Sequence, residues 1–284
     1  VHASPFRYCF RLPQGYLGSH GLERTLPRYD RFFHLLAKPL PPEWALGAVF
    51  YQIFPDRFRQ GRPELAPKEG AWLYGGRPIR KKAWHEPPGE DGAREFYGGD
   101  LFGVLEALPY LEALGVEALY LTPIFQSPSS HRYDTEDYHR VDPHLGGEEA
   151  LRALYEALEA RGMKLILDGV FNHVGATHPW FQKALKDPSS PERGMFTFYP
   201  DGSYASFWGV KHMPKLDYAS ALTQERFVFG KEAPVRYWMR LAHGWRLDVA
   251  HSIGEGGTNR KNARWLRALA RAAKVAPTAT TVLL

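Results

Sequence analysis

The sequence of 284 residues contains a single cysteine, and this scarcity excludes several kinds of site. With Cys9 alone, these residues cannot form an internal disulfide or a cysteine-based zinc site. The twelve histidines show no HExxH spacing, so the sequence gives no indication of a zinc hydrolase. We expect Cys9 to be a small buried hydrophobic residue.

Long apolar runs and blocks of one charge are also missing. No stretch of about 18 apolar residues occurs, and the N-terminal residues lack the basic-then-apolar pattern of a secretory leader. Basic residues outnumber acidic ones by 36 to 31, but the two kinds are interspersed along the chain. The sequence therefore predicts a cytoplasmic protein that has neither a membrane nor a nucleic acid as its partner.

The chain does have the hydrophobic content of a large globular domain, 44%, arranged in short alternating segments. Five apolar segments are strand candidates: 48–54, 116–121, 164–168, 244–248 and 280–284. Helical periodicity occurs over three segments: 101–114, 148–161 and 260–274. Because strands that alternate with helices pair in parallel, we predict an α/β fold.

The segment before the first of these strands has a different pattern. Residues 1–42 alternate apolar and polar positions, with turn signals at glycines. A cluster of prolines, Pro39, Pro41 and Pro42, lies at its end. We interpret residues 1–42 as the last strands of a β-sandwich domain followed by a stiff linker.

An arginine and an aspartate interrupt the apolar tract GWRLDVAHSIGEGG at residues 244–257. Arg246 and Asp248 are two positions apart, and in a strand this spacing turns both side chains toward the same face. A guanidinium beside a carboxylate lowers the carboxylate pKa and fixes its orientation. The pair is compatible with a nucleophilic aspartate that is kept ionised, and equally with an ion pair that only stabilises the fold.

A second polar cluster follows the apolar run of LILDGVFNHVG, residues 165–175. Asp168 stands where the strand is expected to end, and Asn172 and His173 lie in the loop after it. The carboxyl ends of buried parallel strands are where α/β barrels keep their catalytic groups. A loop cap at Asp168 and a hydrogen-bonded core histidine at His173 are the alternative interpretations.

Together these tracts resemble the α-amylase family of glycoside hydrolases. The tracts are VFYQIFPDRF (49–58), FYGGDLFGVLEALPYLEALGVEALYLTPIFQSPSSHRYDTEDYHRVDP (96–143), LILDGVFNH (165–173), MPKLDY (213–218) and GWRLDVAH (244–251). Maltodextrin glucosidases, neopullulanases and cyclomaltodextrinases are the most similar groups. The resemblance implies a (β/α)8 TIM barrel, incomplete here, with about strands 1 to 5 in residues 43–284. It also implies a loop domain inserted at about 174–218, and a β-sandwich remnant at the N-terminus.

The resemblance further implies retaining hydrolysis of α-glucosidic bonds in maltodextrins and related α-glucans. In such a mechanism a carboxylate attacks the sugar and an acid protonates the leaving group. Asp248 corresponds to the nucleophile and Arg246 to the residue that holds it. His173 corresponds to a histidine that binds the sugar at the cleaved position, and Tyr133, in HRYDTEDY, to a tyrosine that stacks on that sugar.

Further positions of the sequence match the family in weaker ways. Asp134 and Asp168 correspond to acidic residues that tie the substrate-site loops together. His251 takes the place of a residue that lines the next sugar position, or it is only a hydrogen-bonding group of its loop. Asn172 is a candidate ligand for calcium, which family members often bind, and no cofactor is otherwise expected. The expected partner is an α-glucan oligosaccharide, and full-length relatives often form homodimers.

The general acid of the family is a glutamate just after the fifth strand, and the sequence ends with that strand. We therefore interpret the chain as C-terminally truncated. The alternative to a hydrolase is a catalytically inactive remnant that at most binds sugar, because cleavage without a proton donor loses most of its rate. Glu255 lies seven positions after Asp248, but we expect a solvated loop carboxylate there. Sequence does not separate transfer to water from transfer to another sugar.

Overall fold

Residues 6–28, 31–35, 42–274 and 282–283 are described by a computed structural model of the chain. The chain divides into two compact units, Val1–Leu46 and Gly47–Leu284. Within the described ranges, no helix combines the length and the apolar character needed to cross a membrane.

Short antiparallel strands make up the first unit. Phe6–Tyr8 pairs with Phe33–Leu35. A three-stranded meander contains Phe10–Leu12, Gly15–Gly18 and Gly21–Glu23. Pro39 and Pro41 of the predicted linker lie outside the described residues. The alternating pattern of the sequence thus corresponds to real strands.

Two residues of the first unit, Gly15 and Cys9, differ in how closely their surroundings pack against them. A Cβ atom on Gly15 would lie 2.2 Å from the carbonyl oxygen of Glu23, and its φ of +146° is unfavourable for other residues, so the strand requires glycine there. Cys9 is half-buried, and the prediction of a buried thiol is wrong. Its position, in the gap between two strands of three residues each, leaves it only partly covered.

A parallel sheet of five strands forms the centre of the second unit. Its strands are β1 (Phe50–Ile53), β2 (Ala118–Leu121), β3 (Lys164–Gly169), β4 (Gly244–Leu247) and β5 (Val282–Leu283). Each strand pairs in parallel with the next one along the chain. The predicted α/β arrangement is confirmed as a partial parallel sheet, and residues 280, 281 and 284 of the predicted fifth strand lie outside the described part of the chain.

Helices connect these strands. They are α1 (Leu101–Glu106), α2 (Leu108–Ala113), α3 (Gly147–Glu159), α4 (Pro179–Lys186), α5 (Ala221–Gln224), α6 (Pro234–Tyr237) and α7 (Asn262–Ala273). The single helix predicted over 101–114 is two helices, because Pro109 has no N–H group to continue the hydrogen-bond ladder. Apolar faces of the helices cover the sheet, and Leu151, Leu154 and Trp265 are almost fully buried.

Shorter elements lie in the connections. The paired strands are Leu73–Tyr74 with Arg77–Pro78, Arg80–Lys81 with Glu95–Phe96, Phe125–Gln126 with Asp137–Val141, and Ser206–Phe207 with Val210–Pro214. Single helical turns occur at Glu43–Ala45, Pro55–Arg57, Pro63–Leu65, Gly92–Arg94, Pro143–Leu145, Pro191–Met195, Glu225–Phe229, Trp238–Arg240 and Ala250–Ser252. The predicted insertion at 174–218 contains α4 and the strand pair of Ser206–Phe207 with Val210–Pro214.

The carboxyl edge of the sheet brings charged residues together. Asp168, in β3, is paired in register with Arg246 of the adjacent β4, and Asp248 follows β4 directly. Since side chains in register on adjacent parallel strands point to the same side, the two motifs that were far apart in sequence become neighbours.

Candidate active site

Arg246 contacts two carboxylates at this edge. Its Nη1 atom lies 2.8 Å from Oδ1 of Asp248 and 3.1 Å from each carboxylate oxygen of Asp168. Asp248 is 8% exposed and Asp168 is 1% exposed, whereas the Arg246 side chain is one-third exposed. A single guanidinium therefore joins the two carboxylates, one of which reaches the surface.

The backbone around Asp248 fixes where its carboxylate sits. The N–H group of Asp248 donates to the carbonyl of Gly169 in β3, at 3.1 Å. The next residue, Val249, has a φ of +38°, in the left-handed region that β-branched residues rarely adopt. Such strain persists only where surrounding contacts hold it, and it is concentrated at functional sites. The turn after β4 thus places Asp248 at the rim of the sheet.

Burial raises the pKa of Asp248, and the guanidinium of Arg246 opposes this effect. The sequence led us to expect a lowered pKa, and that expectation has the wrong sign because the loss of hydration outweighs the attraction of a partly exposed guanidinium. Burial also raises the pKa of Asp168, to about 6, although a hydrogen bond from Tyr120 and the charge of Arg246 favour its ionised form.

Two tyrosine hydroxyls donate to the deeper carboxylate. Tyr133 Oη lies 3.0 Å from Oδ2 of Asp168, and the Tyr120 hydroxyl donates to the same oxygen. Burial and the charge of Asp168 raise the pKa of both tyrosines, so both hydroxyls remain protonated donors at neutral pH. Tyr133 is thereby held half-buried beside the charged group of Arg246 and Asp168.

His173 contacts the backbone of Tyr133 and is 1% exposed. Its Nε2 atom lies 3.1 Å from the carbonyl oxygen of Tyr133, and its Nδ1 atom lies 3.2 Å from Nδ2 of Asn172. Burial lowers the pKa of His173 to about 4, so the ring is neutral at pH 7. In this arrangement neither ring nitrogen is free to bind a sugar hydroxyl.

Asn172, the predicted calcium ligand, already contacts a cation of the protein. Its Oδ1 atom accepts a hydrogen bond of 2.7 Å from Nζ of Lys215, which also donates to the carbonyl of Ser252. Across the part of the chain that the structure describes, no group of three or more His, Cys, Asp or Glu side chains could hold a metal ion. The residues do not fit calcium at Asn172, because an ammonium occupies the position and repels a divalent cation.

Two further residues were predicted to belong to the substrate site, Asp134 and His251. Asp134 is 1% exposed and accepts hydrogen bonds from Ser127, at 2.8 Å, and from Ser129, both in its own loop. His251 is exposed, and its charge lowers the pKa of Asp248. Asp134 therefore contacts its own loop, whereas the charge of His251 acts on the carboxylate of Asp248.

Residues 52–270 match the family model of the α-amylase catalytic domain. The chain belongs to the α-amylase family. Membership of this family implies a (β/α)8 barrel fold for the catalytic domain, and the structure shows a partial parallel sheet, β1 to β5.

Named members of the α-amylase family resemble the chain closely. The intracellular maltogenic amylase of Bacillus subtilis is 38% identical over 254 residues, which cover 84% of this chain and 40% of that protein. Neopullulanase 2 of Thermoactinomyces vulgaris is 38% identical over 267 residues, 87% of this chain and 43% of that protein. The type III pullulan hydrolase of Thermococcus kodakarensis has a solved structure that superposes with a TM-score of 0.75 at 29% identity, covering 99% of this chain and 50% of that one. The chain thus spans about 40% of the length of the curated relatives it matches.

The environment of Glu255 differs from the one predicted from the sequence. The prediction of a solvated loop carboxylate is wrong, since Glu255 is 3% exposed. Its carboxylate accepts a hydrogen bond of 3.1 Å from Nε1 of Trp265 and lies 3.0 Å from Nζ of Lys261 and 3.5 Å from Nη2 of Arg260. The contact with Lys261 lowers the pKa of Glu255, so it does not hold a proton to donate at neutral pH.

Sequence analysis did not identify three residues that contact the candidate site: Tyr120, Lys215 and Phe207. Tyr120 lies inside an apolar strand and looks like a core residue until its hydroxyl is placed against Asp168. Lys215 stands out only as the basic residue of MPKLDY. Phe207 stacks on the ring of His173, with the ring centres 5.1 Å apart, and no spacing connects the two positions in sequence.

Proposed function

We propose that Asp248 is the nucleophile of a retaining hydrolase that acts on α-glucosidic bonds in maltodextrins and related α-glucans. The observation that carries the proposal is the Nη1 atom of Arg246, within 3.1 Å of Asp248 and Asp168 at the carboxyl edge of two parallel strands. This contact favours the ionised form of Asp248 and orients it. Of the two carboxylates, Asp248 is the less deeply buried, with a side chain 11% exposed against 0% for Asp168. The maltogenic amylase and neopullulanase similarities support the choice of substrate.

In the proposed reaction, an oxygen of Asp248 attacks the anomeric carbon and the bond from that carbon to the leaving-group oxygen breaks. The leaving group takes a proton, and water then hydrolyses the glycosyl-enzyme ester. Tyr133 and Arg246 would position the sugar and the nucleophile. Asp168 would hold Arg246 and Tyr133 without touching the reacting atoms. His251 would contact the neighbouring sugar, and His173 would contact the reacting sugar after the Tyr133 carbonyl moves away.

The proton for the leaving group needs a donor, and among the residues that the structure describes we find no carboxylic acid that fits this role. Glu255 is ion-paired and buried away from solvent. We propose that a glutamate beyond residue 284 supplies it, as the family resemblance implies. Residues 1–284 without that group would then retain nucleophilic attack but lose about 10²- to 10⁴-fold in the cleavage of an ordinary glycoside. A sugar-binding protein without hydrolysis is the second candidate, and the ion-paired state of Glu255 favours it.

A substrate that needs no acid separates these two candidates. In α-glucosyl fluoride the fluoride ion leaves without protonation, so attack by Asp248 alone releases it. We expect the 284-residue chain to release fluoride and Asp248→Asn to release at least about a hundredfold less. Asp187→Asn, which changes an exposed aspartate, is the matched control and should behave as the parent. Equal release by Asp248→Asn and the parent would contradict the proposal, and sugar binding without release would favour the second candidate.

We also propose a domain organisation for the chain. Residues 43–284 would form about strands 1 to 5 of a (β/α)8 barrel, with an inserted loop domain at about 174–218. Residues 1–42 would be the end of an N-terminal β-sandwich and a linker. The order of the five parallel strands and the antiparallel pairing within 6–35 support this division. A cytoplasmic location, supported by the name of the intracellular maltogenic amylase, and homodimerisation of a full-length protein are further parts of the proposal.

A further inference from the structure

A tryptophan at the tip of a short hairpin is the most exposed large hydrophobic residue among those that the structure describes. Trp208 is 78% exposed. It lies between the strands Ser206–Phe207 and Val210–Pro214, and Phe207 pairs directly with Val210, so Trp208 and Gly209 form the whole of the loop. A tight two-residue turn therefore holds the indole in an exposed position.

The backbone of this turn is unfavourable for tryptophan. Trp208 has a φ of +45° and Gly209 a φ of +80°. Positive φ at both central residues is typical of the type I′ turn, which asparagine, aspartate and glycine fill at low cost and bulky residues do not. A strained, solvent-exposed indole is thus found where a small polar residue would be more stable, which suggests that the side chain has a binding role.

The indole also continues a stack of rings that begins at the candidate active site. The Trp208 and Phe207 ring centres are 4.9 Å apart, with the rings 18° from parallel. Phe207 in turn stacks on His173, at 5.1 Å and 22°. Asn172, which immediately precedes His173 in the chain, lines the same pocket as Trp208. The exposed ring is therefore connected by direct contacts to the residues beside Arg246 and Asp168.

The pocket below Trp208 has a volume of about 370 Å³. Its walls combine two aromatic rings with hydroxyl, amide and ammonium groups: Asn172, Ser206, Phe207, Trp208, Lys215, Ser252, Gly257, Thr258 and Asn259. A pyranose ring has an apolar face of C–H groups and a rim of hydroxyls. The electron-rich face of an indole attracts the C–H face, and the polar side chains match the rim.

We infer that Trp208 is a stacking platform for a glucosyl unit of the α-glucan chain, at a position beyond the sugar that Asp248 attacks. This inference rests on the proposed function, since the chain that it would hold is the substrate of that site. Trp208 would be a specificity-determining residue: it would strengthen the binding of longer oligosaccharides and leave the reaction at Asp248 unchanged.

Replacing Trp208 by asparagine separates binding from folding. Asparagine tolerates a positive φ, so Trp208→Asn should keep or raise the Tm of the protein. Calorimetric titration with maltotetraose should show about five- to tenfold weaker binding than in the parent. Trp208→Phe, which keeps an aromatic face, should restore part of the affinity. Trp84→Ala, a change of another exposed tryptophan, is the matched control and should bind as the parent.

Several outcomes would overturn the inference, and they differ from those that overturn the proposed function. If Trp208→Asn binds maltotetraose as tightly as the parent, Trp208 is not a sugar platform, while Asp248-dependent fluoride release would still support the proposed function. If that variant instead loses a concentration-dependent dimer with its sugar affinity unchanged, the occupant is a second copy of the chain. If the parent binds no maltotetraose and releases no fluoride, both the inference and the proposed function fail.

Discussion

The Nζ atom of Lys215 lies 2.7 Å from Oδ1 of Asn172, and this contact orients two further side chains. Because Oδ1 faces the ammonium, Nδ2 of Asn172 is the atom that points to Nδ1 of His173 and donates to it. His173 must then carry its proton on Nε2, which donates to the carbonyl of Tyr133. A lysine of the inserted segment thereby fixes the tautomer of a histidine and the position of the tyrosine loop.

Calcium should have no stabilising effect through Asn172, because the Lys215 ammonium occupies the ligand position. We expect the same Tm for the chain with millimolar calcium and with a chelator. Lys215→Met removes the ammonium and leaves the Asn172 oxygen unpaired, which should lower the free energy of unfolding by about 1–3 kcal/mol. A Tm of the parent that rises with calcium, and no longer does so in Asn172→Ala, would contradict this account of the site.

Acid should destabilise the protein partly through His173. Its pKa is lowered from the ordinary histidine value of 6.5 to about 4 in the folded chain, so between these values the unfolded state binds more protons. Stability from this group is therefore fully present above pH 6.5 and is lost as the pH falls toward 4, by about 3 kcal/mol. The titration of Asp168 has the opposite effect on stability. Because its pKa is raised to about 6, the folded state takes up a proton before the unfolded state does, so this group stabilises the fold as the pH falls below 6.

The comparison with His173→Gln isolates the histidine, because Asp168 titrates in both proteins. Urea unfolding at pH 7, 5.5 and 4.5 should show the stability of the parent falling more steeply than that of the variant. Parallel pH dependence in the two proteins would mean that His173 does not titrate with a lowered pKa.

Arg246→Ala should damage the site more than the fold. The change leaves two neighbouring carboxylates without their shared cation, so the pKa of Asp248 should rise further and its nucleophilic form should be depleted. We expect fluoride release from α-glucosyl fluoride to fall by at least about a hundredfold, and to recover partly at higher pH. Arg240→Ala, which breaks an exposed ion pair with Glu148, is the control. Full activity of Arg246→Ala would show that the guanidinium does not support the nucleophile.

Glu255→Gln should lower the stability of the protein and leave the rate of fluoride release unchanged. The carboxylate joins the loop after β4 to α7 through Trp265 and Lys261, and the charge-assisted part of these contacts is lost in the amide. We expect the free energy of unfolding to fall by about 1–3 kcal/mol in urea titrations. Fluoride release per folded molecule should match that of the parent. A hundredfold loss of turnover in a folded variant would instead make Glu255 part of the reaction.

The strands and most helices could be predicted from sequence because their signals are local. Apolar runs bounded by polar residues locate β1 to β4 to within two residues. The break at Pro109 was missed because the leucine period continues through it. Sequence spacing also placed Arg246 beside Asp248, since both belong to one strand and its end.

Contacts between distant segments could not be predicted in this way. Asp168 meets Arg246 because β3 pairs with β4 in one particular register, and Lys215 reaches Asn172 from 43 positions away. The sign of the pKa shift of Asp248 depends on burial, which no sequence pattern measures. The turn at Trp208 and Gly209 has a glycine as its only local signal.

The most direct test of the account is to locate the covalent intermediate. If the group that also activates water for hydrolysis of the ester lies outside residues 1–284, the glycosyl-enzyme should persist. Incubation of the 284-residue chain with α-glucosyl fluoride, followed by peptide mapping by mass spectrometry, should show one added glucosyl residue on Asp248 and none in Asp248→Asn. A glucosyl residue on another side chain, or fluoride release by the parent that persists in Asp248→Asn without any adduct, would contradict the assignment of Asp248 as the nucleophile.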